Sequence, residues 1–473
     1  MVLANPLPLV PYPLRVVAGE GAPLRLSEGS APHRELVPGG APESYTISVT
    51  AAGAVVRAAD NAGLFYADRT LAQLVQHDDS GAFIAPVEIE DAPRFGYRGM
   101  MLDIARHFFD AEAIKGVIDR ASALKFNHLH LHLSDDQGWR LELTSRPRLT
   151  THAAGTSALG DAGGFLTQAD YRDILAYAAA RHMTVVPEFD LPGHTHAVGV
   201  AYPELVEQPA LSAELVAQAE ELGQALPVHG EPYTGWAVGH SSLRIQDDAT
   251  WVFLEEVLGE LAALTPGPYL HIGGDECLGT DPDDYADFLA RVTALVQRLG
   301  KTPVAWHEAG AAEAAPGTVG QFWGLLEPTD AHAAHTRAFA ARGGRVILSP
   351  ADAAYLDMIP EEGYPLGLHW AGIVPLSRAY DWEPTAVIPG LDAADILGVE
   401  AALWTETART PADLDALMFP RVAAIAEIAW SAPAGTPERS WESFAARIAA
   451  LAPHWAAAGW GGYRSPEIAW DTL

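Results

Sequence analysis

The chain holds one cysteine, Cys277, so no intrachain disulfide can brace it. It is also short of positive charge: 29 Lys and Arg stand against 61 Asp and Glu, a net charge of -32. That surface argues against nucleic acid and anionic membrane as partners, because both would repel it. No apolar run approaches the roughly 18 residues of a membrane span. The opening "MVLANPLPLVPYPLRVVAGE" lacks a basic region followed by a long apolar stretch, and prolines interrupt it. It does not read as a signal peptide, and the cytoplasm is favoured over secretion. A Gly-rich phosphate turn early in the chain is missing, which weighs against a doubly wound nucleotide-binding sheet. Low-complexity segments are missing as well.

What the chain has is apolar residue in quantity, 49% of 473, enough for one large domain plus a smaller one. "YTISVT" at 45–50 alternates apolar and polar, Ala51-Ala52-Gly53 signals a turn, and "AVVRAAD" follows, so a hairpin is expected. Leu64, Leu71, Leu74 and Val75 share one side of a helix from about 61 to 77. These elements make a small α/β domain over residues 1–95. From residue 96 to 473 the pattern changes. Eight short apolar runs appear: "YRGMMLDIA", "HLHLHLS", "TVVPEFD", "YLHIGGD", "PVAWHE", "TVGQFWG", "RVILSP" and "GVEAALW". Helical stretches such as 111–125, 168–182, 249–264, 282–299, 329–342 and 411–430 separate most of them. This alternation predicts a (β/α)8 TIM barrel with loop insertions.

Barrel enzymes build their sites where the strands finish. The residues found there are Asp103, Arg106 and His107 after the first run, then Asp135, Asp136 and Trp139. Glu188, Asp190, His194 and His196 follow the third, and Asp275 and Glu276 the fourth. The later runs supply Trp306, His307, Glu308, Trp323, Tyr355, Asp357, Trp404 and Glu406. Acids, an arginine, histidines and aromatics therefore converge on one mouth. Aromatic walls with carboxylates suit a sugar, whose C–H faces meet indoles and whose hydroxyls meet Asp, Glu and Arg.

The pair Asp275-Glu276 in "PYLHIGGDECLGTD" is the sharpest feature. Two carboxylates side by side are costly unless one holds a proton or each has its own partner. Glycosidases commonly place two carboxyls about 5–9 Å apart across the scissile bond. Adjacent residues do not easily straddle a bond in that way. They suit a reaction in which one acid protonates the leaving oxygen and the other manages a group that the substrate brings, such as a 2-acetamido group.

"HIGGDE", "LHLHLSDDQGWR", "LDIARHFF", "PEFDLPGHTHA" and "LWTE" resemble, in order, the motifs of family 20 glycoside hydrolases, the β-N-acetylhexosaminidases. The resemblance covers about 95–460, and the small N-terminal domain is similar to the one preceding the barrel in that family. It implies a retaining exo-hydrolase that removes terminal β-linked GlcNAc or GalNAc through an oxazolinium intermediate, without cofactor or metal. The partner it implies is a glycan or small molecule with a non-reducing terminal N-acetylhexosamine. Onto matching positions it carries Glu276 as general acid and base, and Asp275 as the group that holds the acetamido N–H. Tyr355 would bond the acetamido oxygen, while Trp306, Trp323 and Trp404 would enclose the methyl and the ring. Arg106 would bind the 3- and 4-hydroxyls, with Asp357 and Glu406 on the 4- and 6-hydroxyls. Asp135 and His194 would form a relay to Glu276. Cys277 is expected to be a packing residue.

Two other readings compete. "HLHLH" sets His128, His130 and His132 on one strand face and "HTH" adds His194 and His196, as a metal-dependent barrel hydrolase would need. That reading leaves the tryptophans without a task. A non-catalytic amino-sugar binder on the same fold would usually lack the acid, and Glu276 is present. The chain is longer than expected around 204–232, where a partly helical insertion is read.

Overall fold

The computed structural model describes residues 7–27 and 29–470. An N-terminal five-stranded sheet runs in the order Arg15–Ala18, Val87–Asp91, Tyr45–Thr50, Gly53–Ala58 and His33–Leu36. Tyr45–Thr50 and Gly53–Ala58 pair antiparallel with Thr50 opposite Gly53, the expected hairpin. Helix Asn61–Gln73 packs on the sheet and stops short of residue 77. The chain instead turns at Leu74 so that Gln76–Asp78 can pair with Gly81–Ile84, trading one helical turn for a hairpin.

Eight parallel strands then close into a barrel: Tyr97–Asp103, His128–His132, Thr184–Glu188, Tyr269–His271, Thr302–Trp306, Val319–Phe322, Val346–Leu348 and Ile396–Leu403. Each lies within one of the eight apolar runs or extends one by one or two residues. Helices between them start on side-chain caps, such as Asp110 on Ala113 N and the Thr167/Asp170 capping box. The stretch 411–430 is two helices, Pro411–Met418 and Arg421–Trp430, because Pro420 has no N–H to continue the ladder. One large core joins strand outer faces to helices through residues such as Ile118, Ile174, Leu258, Phe288 and Val292.

Inside the barrel the alternation of strand side chains builds layers. A lower apolar layer contains Tyr97, Val186, Val304, Val319, Ile347 and Leu397. Above it the interior is polar: His130, Glu188, His271, Gln321 and Glu400 are fully buried. Gly99 is required there, since a Cβ would fall 2.2 Å from Glu400 Oε2. The two domains meet around Asp91, which accepts from Lys125 Nζ (3.0 Å), Trp430 Nε1 (3.0 Å) and the Tyr45 hydroxyl.

Candidate active site

A cavity of about 500 Å³ opens at the C-terminal ends of the strands. Arg106, Asp275, Glu276, Trp323, Tyr355, Asp357, Trp404 and Glu406 line it, eight of the eleven residues expected from sequence. Asp135, His194 and Trp306 are not among its lining residues. Trp306, expected in the sugar cage, is fully buried with its ring 6.0 Å from Trp404, because its N–H donates to Glu188 Oε1 at 2.9 Å. Asp135 and His194 are buried too, and they are aligned as a chain. His194 Nδ1 donates to Asp135 Oδ1 at 3.1 Å, and His194 Nε2 lies 3.5 Å from Glu276 Oε2.

The turn after the fourth strand explains how two neighbouring acids face different surroundings. Gly273 (φ 68) and Gly274 (φ 100) bend the chain, and a Cβ on Gly273 would fall 1.7 Å from Asp190 Oδ1. Glu276 itself sits at φ 46, a left-handed conformation that is unfavourable for a side-chain-bearing residue and found at functional sites. Asp275 is buried and its Oδ1 has no partner, whereas the Glu276 side chain is about a third exposed. Burial first, then repulsion from Glu276, push Asp275 up to about 6, against the pull of His194. Burial and Asp275 likewise hold Asp190 well above the carboxylate range. For His194 burial opposes the charge, but Asp135, Asp190 and Glu276 hold it well above the usual histidine value. Glu276 therefore faces a protonated imidazole within its relay.

Arg106 is clamped by Asp135 (2.9 Å) and Asp103 (3.6 Å) and lies over the Trp404 ring at 4.8 Å. Asp357 and Glu406 are left unneutralised. Burial and the neighbouring Glu406 hold Asp357 well above its usual range, and burial takes Glu406 to about 7 despite Arg106. Asp357 Oδ2, Glu406 Oε2 and Trp404 Nε1 have no partner among the described residues. Buried polar groups left open in this way imply a hydroxylated ligand. The Tyr355 ring stands 6.1 Å from Trp404 and 5.9 Å from Trp370.

Several contributors carried no role at the level of sequence. Glu308 fixes Trp323 by accepting from its Nε1 at 2.9 Å. Leu368, His369 and Trp370 come from the loop after Asp357, and Gln218, Glu221, Leu222, Trp236 and Val238 from helix Ala213–Leu222 and the loop following it. Glu308 carried a signal, its place at a strand end; the others carried none. Two histidines of the competing metal reading face carboxylates. His130 faces Glu400 (2.9 Å) and Glu188 (3.1 Å), and His132 faces Glu188 and Asp135 (2.7 Å). Burial opposes their charge, yet these carboxylates carry His130 up to about 10 and His132 to about 9. His196 lies elsewhere, on the Glu231 carbonyl at 2.7 Å. Cys277 donates its thiol to Asp275 O at 3.2 Å, and burial pushes its pKa well up.

Comparison with known proteins agrees with this geometry. Residues 95–282 and 279–433 match the model of glycosyl hydrolase family 20, catalytic domain, and residues 16–92 match that of glycosyl hydrolase family 20, domain 2. The chain is 40% identical over 464 residues to a β-N-acetylhexosaminidase of Cellulomonas fimi, covering 96% of this chain and 88% of that protein. It is 35% identical to a β-hexosaminidase of Vibrio furnissii, covering 81% of this chain and 64% of the relative. A solved family 20 β-N-acetylglucosaminidase superposes with a TM-score of 0.93 at 50% identity, covering 98% of this chain and 100% of that one. A mutant Streptomyces plicatus β-hexosaminidase in complex with the product GlcNAc gives a TM-score of 0.89 at 40% identity, with 99% of each chain covered. The chain belongs to glycosyl hydrolase family 20, the β-N-acetylhexosaminidases.

Proposed function

We propose that the chain removes terminal β-linked N-acetylhexosamine from the non-reducing end of glycans, with the substrate's own acetamido group as nucleophile. The observation that carries this reading is the divergence of Asp275 and Glu276. One is buried with an open oxygen, and the other is partly exposed at the end of a histidine relay. Glu276 protonates the glycosidic oxygen as the C1–O bond breaks. The acetamido carbonyl oxygen closes on C1, and Asp275 accepts the amide N–H and opposes the charge that grows on nitrogen. Trp323, Trp404 and Tyr355 hold the acetamido group beneath C1, a positioning effect of large size. Glu276 then takes a proton from water as that water opens the oxazolinium ring at C1. Arg106, Asp357 and Glu406 bind the outer hydroxyls.

Two inversions return the β-configuration. NMR of the first-formed sugar should therefore show the β-anomer, and an initial α-anomer would reject substrate assistance. β-Glucosides, which lack the nucleophile, should be very poor substrates. A thiazoline analogue of the oxazolinium should bind far more tightly than substrate.

A further inference from the structure

The cavity has a wall that the roles above leave unused. Helix Ala213–Leu222 starts on a Ser212 cap and ends at Gly223, whose φ of 64 stops it. It lies in the stretch read as an insertion, and it brings Gln218, Glu221 and Leu222 to the cavity that holds Glu276. The chain just beyond it is tied to the following loop, because Gln224 Oε1 accepts from Trp236 N at 2.8 Å. Trp236 lines the same cavity, and its Nε1 has no partner among the described residues.

Depth decides which part of a substrate this wall meets. Arg106, Tyr355, Asp357 and Trp404 are all buried, so they receive the terminal sugar. Gln218, Glu221 and Leu222 are exposed. Groups at the open end of a pocket that takes a chain terminus face the next residue, the leaving group.

Charge decides which leaving group suits it. The lining carries Glu221, Asp275, Glu276 and Glu406, beside a raised Asp357, against one arginine, Arg106, which is clamped by Asp135 and Asp103. Among the described residues no cation pairs with Glu221. The deeper lining atoms Asp357 Oδ2 and Trp404 Nε1 are buried and unpartnered, which marks the whole cavity as built for a ligand. A uronate at the mouth meets like charge, and a sugar with a free amine meets a counter-ion.

We propose that the inserted helix is the leaving-group wall and that Glu221 sets the charge preference there, favouring an amine-bearing hexosamine over a neutral one and disfavouring a uronate. This rests on the hexosaminidase reading. The test uses three β-1,4 disaccharides of GlcNAc that differ only in the reducing-end residue: glucosamine, GlcNAc or glucuronate. The quantity read is the ratio of kcat/KM for the amine to that for the uronate, measured within each protein. In the unaltered enzyme the order should be amine, neutral, uronate, with the ratio shrinking as salt is added. Glu221→Gln should lower the ratio by about threefold to fivefold, the size of an exposed charge pair, and Glu221→Lys should lower it further. An identical ratio in all three proteins would overturn the proposal. Failure of the unaltered enzyme to cleave an aryl β-GlcNAc would instead overturn the hydrolase reading, so the two failures are distinguishable.

Discussion

The carboxylates that line the cavity, from buried Asp357 to half-buried Glu406, and the fully buried ones a layer below, in the barrel interior, are treated in opposite ways. Below, Glu188 accepts from His130, His132 and Trp306 and sits beside His271, and it is held well below the ordinary carboxylate range. At the mouth, Asp275, Asp357 and Glu406 keep open oxygens and are pushed upward, chiefly by burial. Leaving a buried polar atom unpaired costs about 1–3 kcal/mol. A fold that satisfies the interior carboxylates Glu188 and Glu400 and leaves oxygens of three carboxylates above them open is holding the latter for a ligand. The interior layer positions Trp306, and the open groups above it line the cavity.

If that division holds, Glu276→Gln should cost kcat roughly 10²- to 10⁴-fold, most for poor leaving groups, with thermal unfolding nearly unchanged. Near-normal turnover of a natural disaccharide would sink the assignment. Glu188→Ala should do the reverse. It removes one partner of a buried ion network, so a stability loss of about 3–5 kcal/mol is expected in urea unfolding. An unchanged midpoint would show that the interior layer does not support the site.

The two layers should also separate by pH. Asp275 has a folded pKa of about 6, above its unfolded value, so the stability it confers is full below about pH 4 and is lost as pH rises towards 6. His130 and His132, raised to about 10 and 9, confer stability below about pH 6.5 that is lost as pH rises through 9 to 10. Each of these losses is on the order of 3 kcal/mol per group. Urea midpoints at pH 4.5, 7 and 10 should fall in two stages, and Asp275→Asn should shrink the first, which Glu406 (about 7) shares, without changing the second. A single stage that this variant leaves intact would erase the distinction.

Smaller effects follow at Asp357 and Cys277. Asn mimics a protonated Asp357, so Asp357→Asn should leave stability within about 1 kcal/mol while raising KM about threefold to fivefold, the worth of a neutral hydrogen bond. An unchanged KM would remove Asp357 from the sugar site. Cys277→Ala should keep most of the activity, since its thiol is held protonated and only packs; complete loss in a folded protein would contradict that.

Most of the fold was legible because short apolar runs and amphipathic helices alternate at barrel spacing, and because motifs at strand ends fall on one face by topology. The misjudged elements were local. The helix from 61 yields to a hairpin at Gln76–Asp78, and the helix from 411 breaks at Pro420, a proline visible in the sequence. The "HLHLH" strand also held a readable signal. Alternate histidines on a barrel strand point inward, where only carboxylates of other strands could satisfy them, and Glu188 and Glu400 do so.

The sequence by itself put Asp275, Glu276, Tyr355, Asp357, Trp404 and Glu406 at one end of the barrel, because strand order and the period of two are local properties, while the roles proposed for them rest on the resemblance of their motifs. Only the tertiary structure decided how these groups differ. Asp275 and Glu276 are neighbours in the chain, yet one is buried and the other is partly exposed beside His194, because Gly273, Gly274 and the left-handed Glu276 turn the backbone between them. Trp306 left the cage for Glu188, and a helix 55 residues before Glu276 came to the cavity's rim through Glu221. Desolvation and long-range pairing set these outcomes, and both depend on atoms that the sequence places far apart.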